Sequence, residues 1–359
     1  MEQIIKHFPE ISGEYEVKPL GQGLINDTFL VETKVPESAN YVLQRINNSI
    51  FTDVDLLQHN IECVTAHLRR KLAASGEHDI DRKVLRFLKA DNGLTYYFDG
   101  AAYWRISVFI PDSETRQSVT AESAYDCGVA FGNFEATLVD IPDEIGDTIP
   151  RFHDISFRLE QLDDAVAADA AGRACEVTEL VNAIRSRAAK MTVADTLAAQ
   201  GKLEKRICHH DTKVNNMLYD TTTGKVLCVI DLDTVMRGYI FSDYGDFLRT
   251  AACSTAEDEP DTSKIHFVPE IFKQFTRGYL DSQARNFLTT VEIEHLPYAI
   301  QLFPYMQCVR FLADYLNGDT YYKIKYPEHN LVRARAQFQL LLSIESQLGE
   351  IDDFVKSLA

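Results

Sequence analysis

Nowhere in this 359-residue sequence does a run of apolar residues approach the ~18 that a membrane-spanning helix needs. The opening, Met1-Glu2-Gln3-Ile4-Ile5-Lys6, also lacks the basic segment and following apolar stretch that direct export, so a cytoplasmic location without membrane association is expected. Paired cysteines are missing too. The seven cysteines, Cys63, Cys127, Cys175, Cys208, Cys228, Cys253 and Cys308, show no C-x-x-C spacing, which speaks against a disulfide framework or a zinc site and for reduced core thiols. Basic residues are in deficit: 36 Lys and Arg against 54 Asp and Glu leave a net charge of −18, which repels nucleic acid and anionic membranes. No period of ~20 to 50 residues recurs, which excludes solenoids and propellers. What remains is ordinary globular composition, 45% apolar and 25% charged, with chain enough for about two domains at the ~150 residues typical of one.

The first 110 residues alternate as strands do. Glu14 to Val17, Asn26 to Val31 and Tyr41 to Ile46 read as an antiparallel meander, with Gly21-Gln22-Gly23 at its first turn. A helical stripe follows in Val54, Leu57, Ile61, Val64 and Leu68, capped by Thr52 or Asp53. Leu94 to Phe98 and Tyr103 to Ile110 then read as a hairpin about Asp99-Gly100. Beyond Pro111-Asp112-Ser113 the pattern turns helical, with Cys127, Phe131, Phe134 and Leu138 on one face and Val309, Leu312, Ala313 and Leu316 on another. Val214 to Tyr219 and Val226 to Ile230 interrupt it as a buried hairpin. The expectation is an α+β, bilobal protein: a small β-rich lobe over residues 1–110 and a larger, mainly helical lobe over 111–359.

The chemistry concentrates in His209-His210-Asp211-Thr212-Lys213-Val214-Asn215-Asn216, followed after a hairpin by Asp231-Leu232-Asp233. An Asp, an Asn five residues on and a further Asp beyond a hairpin is the spacing that sets a base and metal ligands around a transferring phosphoryl group. Asp211 suits the base. Asn216 and Asp231, with Asp233 beside them, suit a hard Mg²⁺ that bridges phosphates.

These residues resemble the H-x-D-x-x-x-x-N motif of the aminoglycoside phosphotransferase and choline kinase superfamily, with His209, Asp211 and Asn216 on the motif positions and Asp231 on the metal-binding Asp. The resemblance spans essentially the whole chain and implies a protein-kinase-like fold, a nucleotide-binding first lobe, and a second lobe for catalysis and acceptor binding. More narrowly, the sequence resembles the bifidobacterial-type N-acetylhexosamine 1-kinases. That likeness runs through Leu43 to Phe51, His210 to Lys213, Ile230 to Thr234, Arg310 to Leu316 and Lys325 to Arg333. It implies ATP and Mg²⁺ as cofactors and a small amino sugar as acceptor, and says nothing of oligomeric state.

Gly21 and Gly23 then become candidate phosphate-covering positions, where backbone N–H groups can approach closely. The sequence departs from the superfamily at Gln44, where a basic residue is usual. Either Gln44 or the neighbouring Arg45 is left to meet phosphate, with Glu62 the candidate helix carboxylate. Phe109, in Val108-Phe109-Ile110-Pro111-Asp112, marks the expected adenine slot. Arg310 and Tyr321 are the implied sugar contacts, although Arg310 and Asp314 also read as an i,i+4 ion pair. Asp243, Asp246 and Arg249 read as a second polar cluster that orders the catalytic segment. Leu24 is a further departure, at a position in the glycine loop where the narrower pattern has a polar residue. Two readings stand beside the amino-sugar kinase: a kinase of another hydroxyl acceptor (an amino alcohol, homoserine or an aminoglycoside), and a non-catalytic nucleotide-binding kinase fold.

Overall fold

The computed structural model of the chain describes residues 1–21 and 25–358, and it divides into two compact units. The first takes Met1–Thr115 and also the later stretches Asp140–Pro150 and Met217–Met236. Its division from the second, Arg116–Val139, Arg151–Asn216 and Arg237–Ala359, is therefore not a single cut near residue 110.

The first unit is built on five antiparallel strands, β1 (Tyr15–Pro19), β2 (Asp27–Thr33), β3 (Tyr41–Ile46), β4 (Tyr97–Phe98) and β5 (Tyr103–Val108), in the spatial order β1-β2-β3-β5-β4. The strand period of two sorts its faces. Val31, Tyr41, Leu43 and Ile106 point into a core closed by Ile4, Ile5, Phe8 and Leu88. Gln44, opposite Thr28 on β2 and Arg105 on β5, lies on the other face. Asp53 caps the Val54–Ala74 helix by accepting the Leu56 N–H at 2.9 Å. The strand expected from Leu94 is shorter, because the Asn92 side chain accepts the Leu94 N–H at 2.9 Å and turns the chain there. Likewise Val214–Asn216 is one turn of 3₁₀ helix rather than the start of a strand, and the hairpin pairs Met217–Asp220 with Val226–Val229.

In the second unit the Leu296–Leu316 helix is buried along almost its whole length, packed by Phe241–Ala251, His329–Ser346 and Ile155–Ala168. Ala121–Leu138 lies against Pro269–Asp281 at a close crossing that two glycines allow. A Cβ on Gly128 would strike the Phe275 carbonyl, and one on Gly278 the Tyr125 carbonyl. Cys127, Cys208, Cys228 and Cys308 are buried and outside any disulfide, whereas Cys175 is exposed, contrary to a core placement. No helix among the described residues is long and apolar enough to cross a membrane.

Candidate active site

In the second unit the chain leaves strand Arg206–Cys208 and turns sharply. His210 sits in the left-handed region at φ 66°, a conformation that costs a non-glycine residue ~1–3 kcal/mol and needs surrounding support. Asp243, 1% exposed at the start of the Phe241–Ala251 helix, supplies it. One carboxylate oxygen accepts the His209 N–H and the other the His210 N–H, both at 2.7 Å, and its backbone carbonyl accepts the Thr212 hydroxyl at 2.7 Å. The turn is thereby held from both sides of Asp211. His209, fully buried against Phe131 and Phe134, accepts the Asp211 N–H on Nδ1 at 3.2 Å. Arg249 of the same helix is ion-paired with Asp246 at 2.8 Å and with Glu257.

Asp211 keeps a quarter of its side chain exposed and meets Lys213 Nζ at 3.1 Å. Burial alone pushes its carboxyl up, but Lys213, with His209 and Arg249, outweighs burial and holds it below the usual carboxylate range. Asn216 donates from Nδ2 to the Asp211 carbonyl at 2.7 Å and to Asp211 Oδ2 at 3.1 Å. With Nδ2 so engaged, Oδ1 is the Asn216 atom left to ligate a cation.

In the first unit Asp231 is exposed and, like His210, left-handed, at φ 61° and ψ 58°. Asp233, two residues on, is 3% exposed: Arg105 Nη1 lies within ion-pair distance of Oδ1, at 2.6 Å, and Asn26 Nδ2 donates to Oδ2 at 2.7 Å. Arg105 also donates from Nε to Gln44 Oε1 at 3.0 Å. The guanidinium built into the sheet comes from β5, one register position across from Gln44, whereas Arg45 is exposed and 3.7 Å from Asp27. Glu62 is exposed and accepts the Thr95 hydroxyl at 2.6 Å, and among the described residues it has no ion pair. The residue of that helix tied to the segment after Asp231 is buried Asn60, which donates to Val235 O at 3.1 Å and Gly146 O at 2.8 Å. Gly21 takes φ 70°, and Gly23 lies outside the described residues. The Phe109 N–H is donated to Asn40 O at 2.8 Å.

The candidate acceptor residues gather in the second unit. The Arg310 guanidinium lies 4.8 Å over Phe152, 5.7 Å from the Tyr322 ring centre and 5.9 Å from that of Tyr321. Arg158 also faces Phe152 and donates twice to its carbonyl; burial, then the nearness of Arg310, lowers its pKa to about 10. No ion pair joins Arg310 to Asp314. Asp314 instead accepts the backbone N–H groups of Thr320, Tyr321 and Tyr322 at 2.9, 2.9 and 3.0 Å.

Arg105, Asn60 and Arg158 were not singled out from the sequence. Only Arg105 left a signal, a charged residue amid the apolar alternation of β5.

Solved structures with similar architecture include an aminoglycoside phosphotransferase from Alicyclobacillus acidocaldarius, 11% identical, covering 99% of this chain and 96% of that one at a TM-score of 0.64. A choline kinase from Cryptosporidium parvum is 14% identical over 96% of this chain and 92% of that one, TM-score 0.54. An amicoumacin kinase in complex with AMP-PNP and Ca²⁺ is 13% identical over 96% and 92%, TM-score 0.54. These likenesses establish a protein-kinase-like fold. The sequence itself matches the phosphotransferase enzyme family over residues 16–270, most of its length, and the chain belongs to that family.

Proposed function

We propose that this protein is an ATP-dependent kinase that phosphorylates the anomeric hydroxyl of N-acetylhexosamines, N-acetylglucosamine or N-acetylgalactosamine, to give the sugar 1-phosphate. The strongest support is the state of Asp211: an ionised, partly exposed carboxylate, fixed by its backbone and by Asn216, and available to accept a proton. In this mechanism Asp211 orients the C1 hydroxyl for in-line attack and accepts its proton as the bond to phosphorus forms. Asn216 Oδ1 and Asp231 are the hard oxygen donors that would hold Mg²⁺, and the ion would neutralise phosphate charge when bound. Asp233, whose carboxylate faces Arg105 and Asn26, stands beside that pair. The nucleotide and divalent ion in the amicoumacin kinase structure agree with this cofactor choice.

For the acceptor, Arg310, Tyr321 and the ring of Phe152 offer a donor fork and apolar faces suited to a neutral sugar. Among the described residues, neither Arg310 nor Arg158 has a carboxylate within ion-pair distance. Two guanidiniums repel a cationic acceptor, which disfavours choline, ethanolamine or an aminoglycoside. ADP release, measured with ATP against a panel of N-acetylglucosamine, N-acetylgalactosamine, choline, homoserine and an aminoglycoside, tests this assignment. Turnover confined to the N-acetylhexosamines is expected. Faster turnover of a cationic acceptor contradicts it, and no turnover of any acceptor favours a binding-only fold.

A further inference from the structure

Between Asp231 and the strands of the first unit stands a buried amide with no part in the chemistry above. Asn26 lies just ahead of β2 and is 8% exposed. Its Nδ2 donates to Asp233 Oδ2 at 2.7 Å, and its Oδ1 accepts the Asn47 N–H at 2.9 Å. The β2–β3 pairing runs from Val31 and Tyr41 to Asp27 and Arg45, so the second bond carries that ladder past its last backbone pair with a side-chain carbonyl. The amide thus engages both its polar atoms, on two segments far apart in sequence.

What it holds is the segment that carries Asp231. That residue is left-handed, at φ 61° and ψ 58°, a conformation that persists only where its surroundings fix it. One turn of 3₁₀ helix, Leu232–Thr234, follows it and is tied down at several points. The Asp233 carbonyl accepts the Thr148 hydroxyl at 3.1 Å, the Val235 carbonyl accepts from Asn60 at 3.1 Å, and the Asp233 carboxylate faces Arg105 and Asn26. All of these partners lie in the first unit. Arg105 and Asn26 differ in what they supply. The guanidinium balances the buried charge, whereas the amide ties the carboxylate to the end of the β2–β3 ladder through a directional bond.

We propose that Asn26 is a positioning residue for the nucleotide's metal ion: by joining the β2–β3 ladder to Asp233, it fixes the turn from which Asp231 offers its carboxylate. The proposal rests on Asp231 as a metal ligand of the kinase proposed above, and on no particular acceptor. Asn26 acts through Asp233 and needs no contact of its own with ion or nucleotide.

Exchanging the two side chains isolates the bond. Asn26→Asp sets carboxylate against carboxylate. Asp233→Asn must turn its NH₂ group towards either the Asn26 NH₂ or Arg105, so one of the two contacts is lost. The double variant, Asn26→Asp with Asp233→Asn, pairs donor with acceptor again in the reverse direction, leaves an oxygen for the Asn47 N–H and keeps one negative charge in the cluster. Calorimetric titration with ADP, at saturating Mg²⁺ and again in excess chelator, reads the effect without any acceptor. In Mg²⁺ each single variant should bind ADP about tenfold more weakly than wild type, the scale of one lost hydrogen bond to a charged group. In chelator the change should stay within about threefold, and the double variant should return to within about threefold of wild type in Mg²⁺. Losses equal with and without Mg²⁺ overturn the proposal, because a unit that is merely loosened loses both. So do single variants that bind like wild type, and so does a double variant as weak as Asp233→Asn, which would put Asp233 itself on the ion. Where a single variant fails to fold, the double variant decides: binding like wild type in Mg²⁺ supports the bond, and binding about tenfold weaker overturns it. A wild-type protein that binds no ADP in either condition overturns the kinase reading and this proposal with it.

Discussion

Asp314 accepts the Tyr322 backbone N–H at 3.0 Å across a turn, although helix spacing pairs it on paper with Arg310. Through the same carboxylate it holds Thr320, Tyr321 and Asn330, so one buried side chain sets the loop that faces Arg310. Asp314→Ala leaves the three backbone N–H groups without this acceptor, at about 1–3 kcal/mol for each one that water cannot reach, while Asn330 keeps Asp319. The acceptor KM should rise about tenfold while the KM for ATP stays within twofold. Steady-state kinetics with each substrate varied in turn checks this; equal changes in both KM values contradict it.

Asp211→Asn removes the proposed base and its charge while keeping shape. A loss of about 10²–10⁴ in kcat is expected with nucleotide affinity retained, and more than a tenth of wild-type kcat excludes Asp211 as the base. Lys213→Met gives the complementary result. Lys213 is among the groups that hold the Asp211 pKa down, so its removal moves that pKa up, and the acid limb of kcat/KM should shift to higher pH. A limb that stays in place or moves down is inconsistent with the charge arrangement.

Arg105 and Asp233 form a buried ion pair, each with its side chain less than a twentieth exposed. Arg105→Met leaves the Asp233 carboxylate with one neutral donor, and such losses cost about 3–5 kcal/mol. Arg45→Ala, at a half-exposed pair 3.7 Å apart, should change stability by less than about 1 kcal/mol. Chemical denaturation of both variants compares them directly; equal losses would remove Arg105 as the structural cation of the sheet.

Metal dependence is what the proposal of Asn216 and Asp231 as oxygen donors predicts. Excess chelator should abolish phosphoryl transfer and added Mg²⁺ restore it, while Asp231→Ala should stay inactive at any Mg²⁺ concentration. Full activity in chelator contradicts the assignment.

What the sequence revealed was governed by chain distance. The alternation of Tyr41 to Ile46 and the apolar face of Ala121–Leu138 are local, and both elements form as that pattern expects. The Asp211–Asn216 spacing is local as well, and the two side chains do meet. Arg105, by contrast, is defined by Asp233, which lies far along the chain, and by register against Gln44. No window of sequence contains that relationship. Asp314 misled for a different reason: the i,i+4 rule describes a helix surface, and the partners of this carboxylate lie past the helix end, where backbone amides outcompete the guanidinium.

On the function proposed above, the attacking group is the anomeric hydroxyl of an N-acetylhexosamine. Phosphorus NMR of the product formed from ATP and N-acetylglucosamine, run beside the same reaction with methyl N-acetylglucosaminide, tests it most directly. The free sugar should yield a phosphate coupled to the anomeric proton, and the methyl glycoside should yield none, because its C1 oxygen has no proton for Asp211 to accept. Phosphorylation of the glycoside at a rate equal to that of the free sugar would place the new bond elsewhere on the ring and contradict the account.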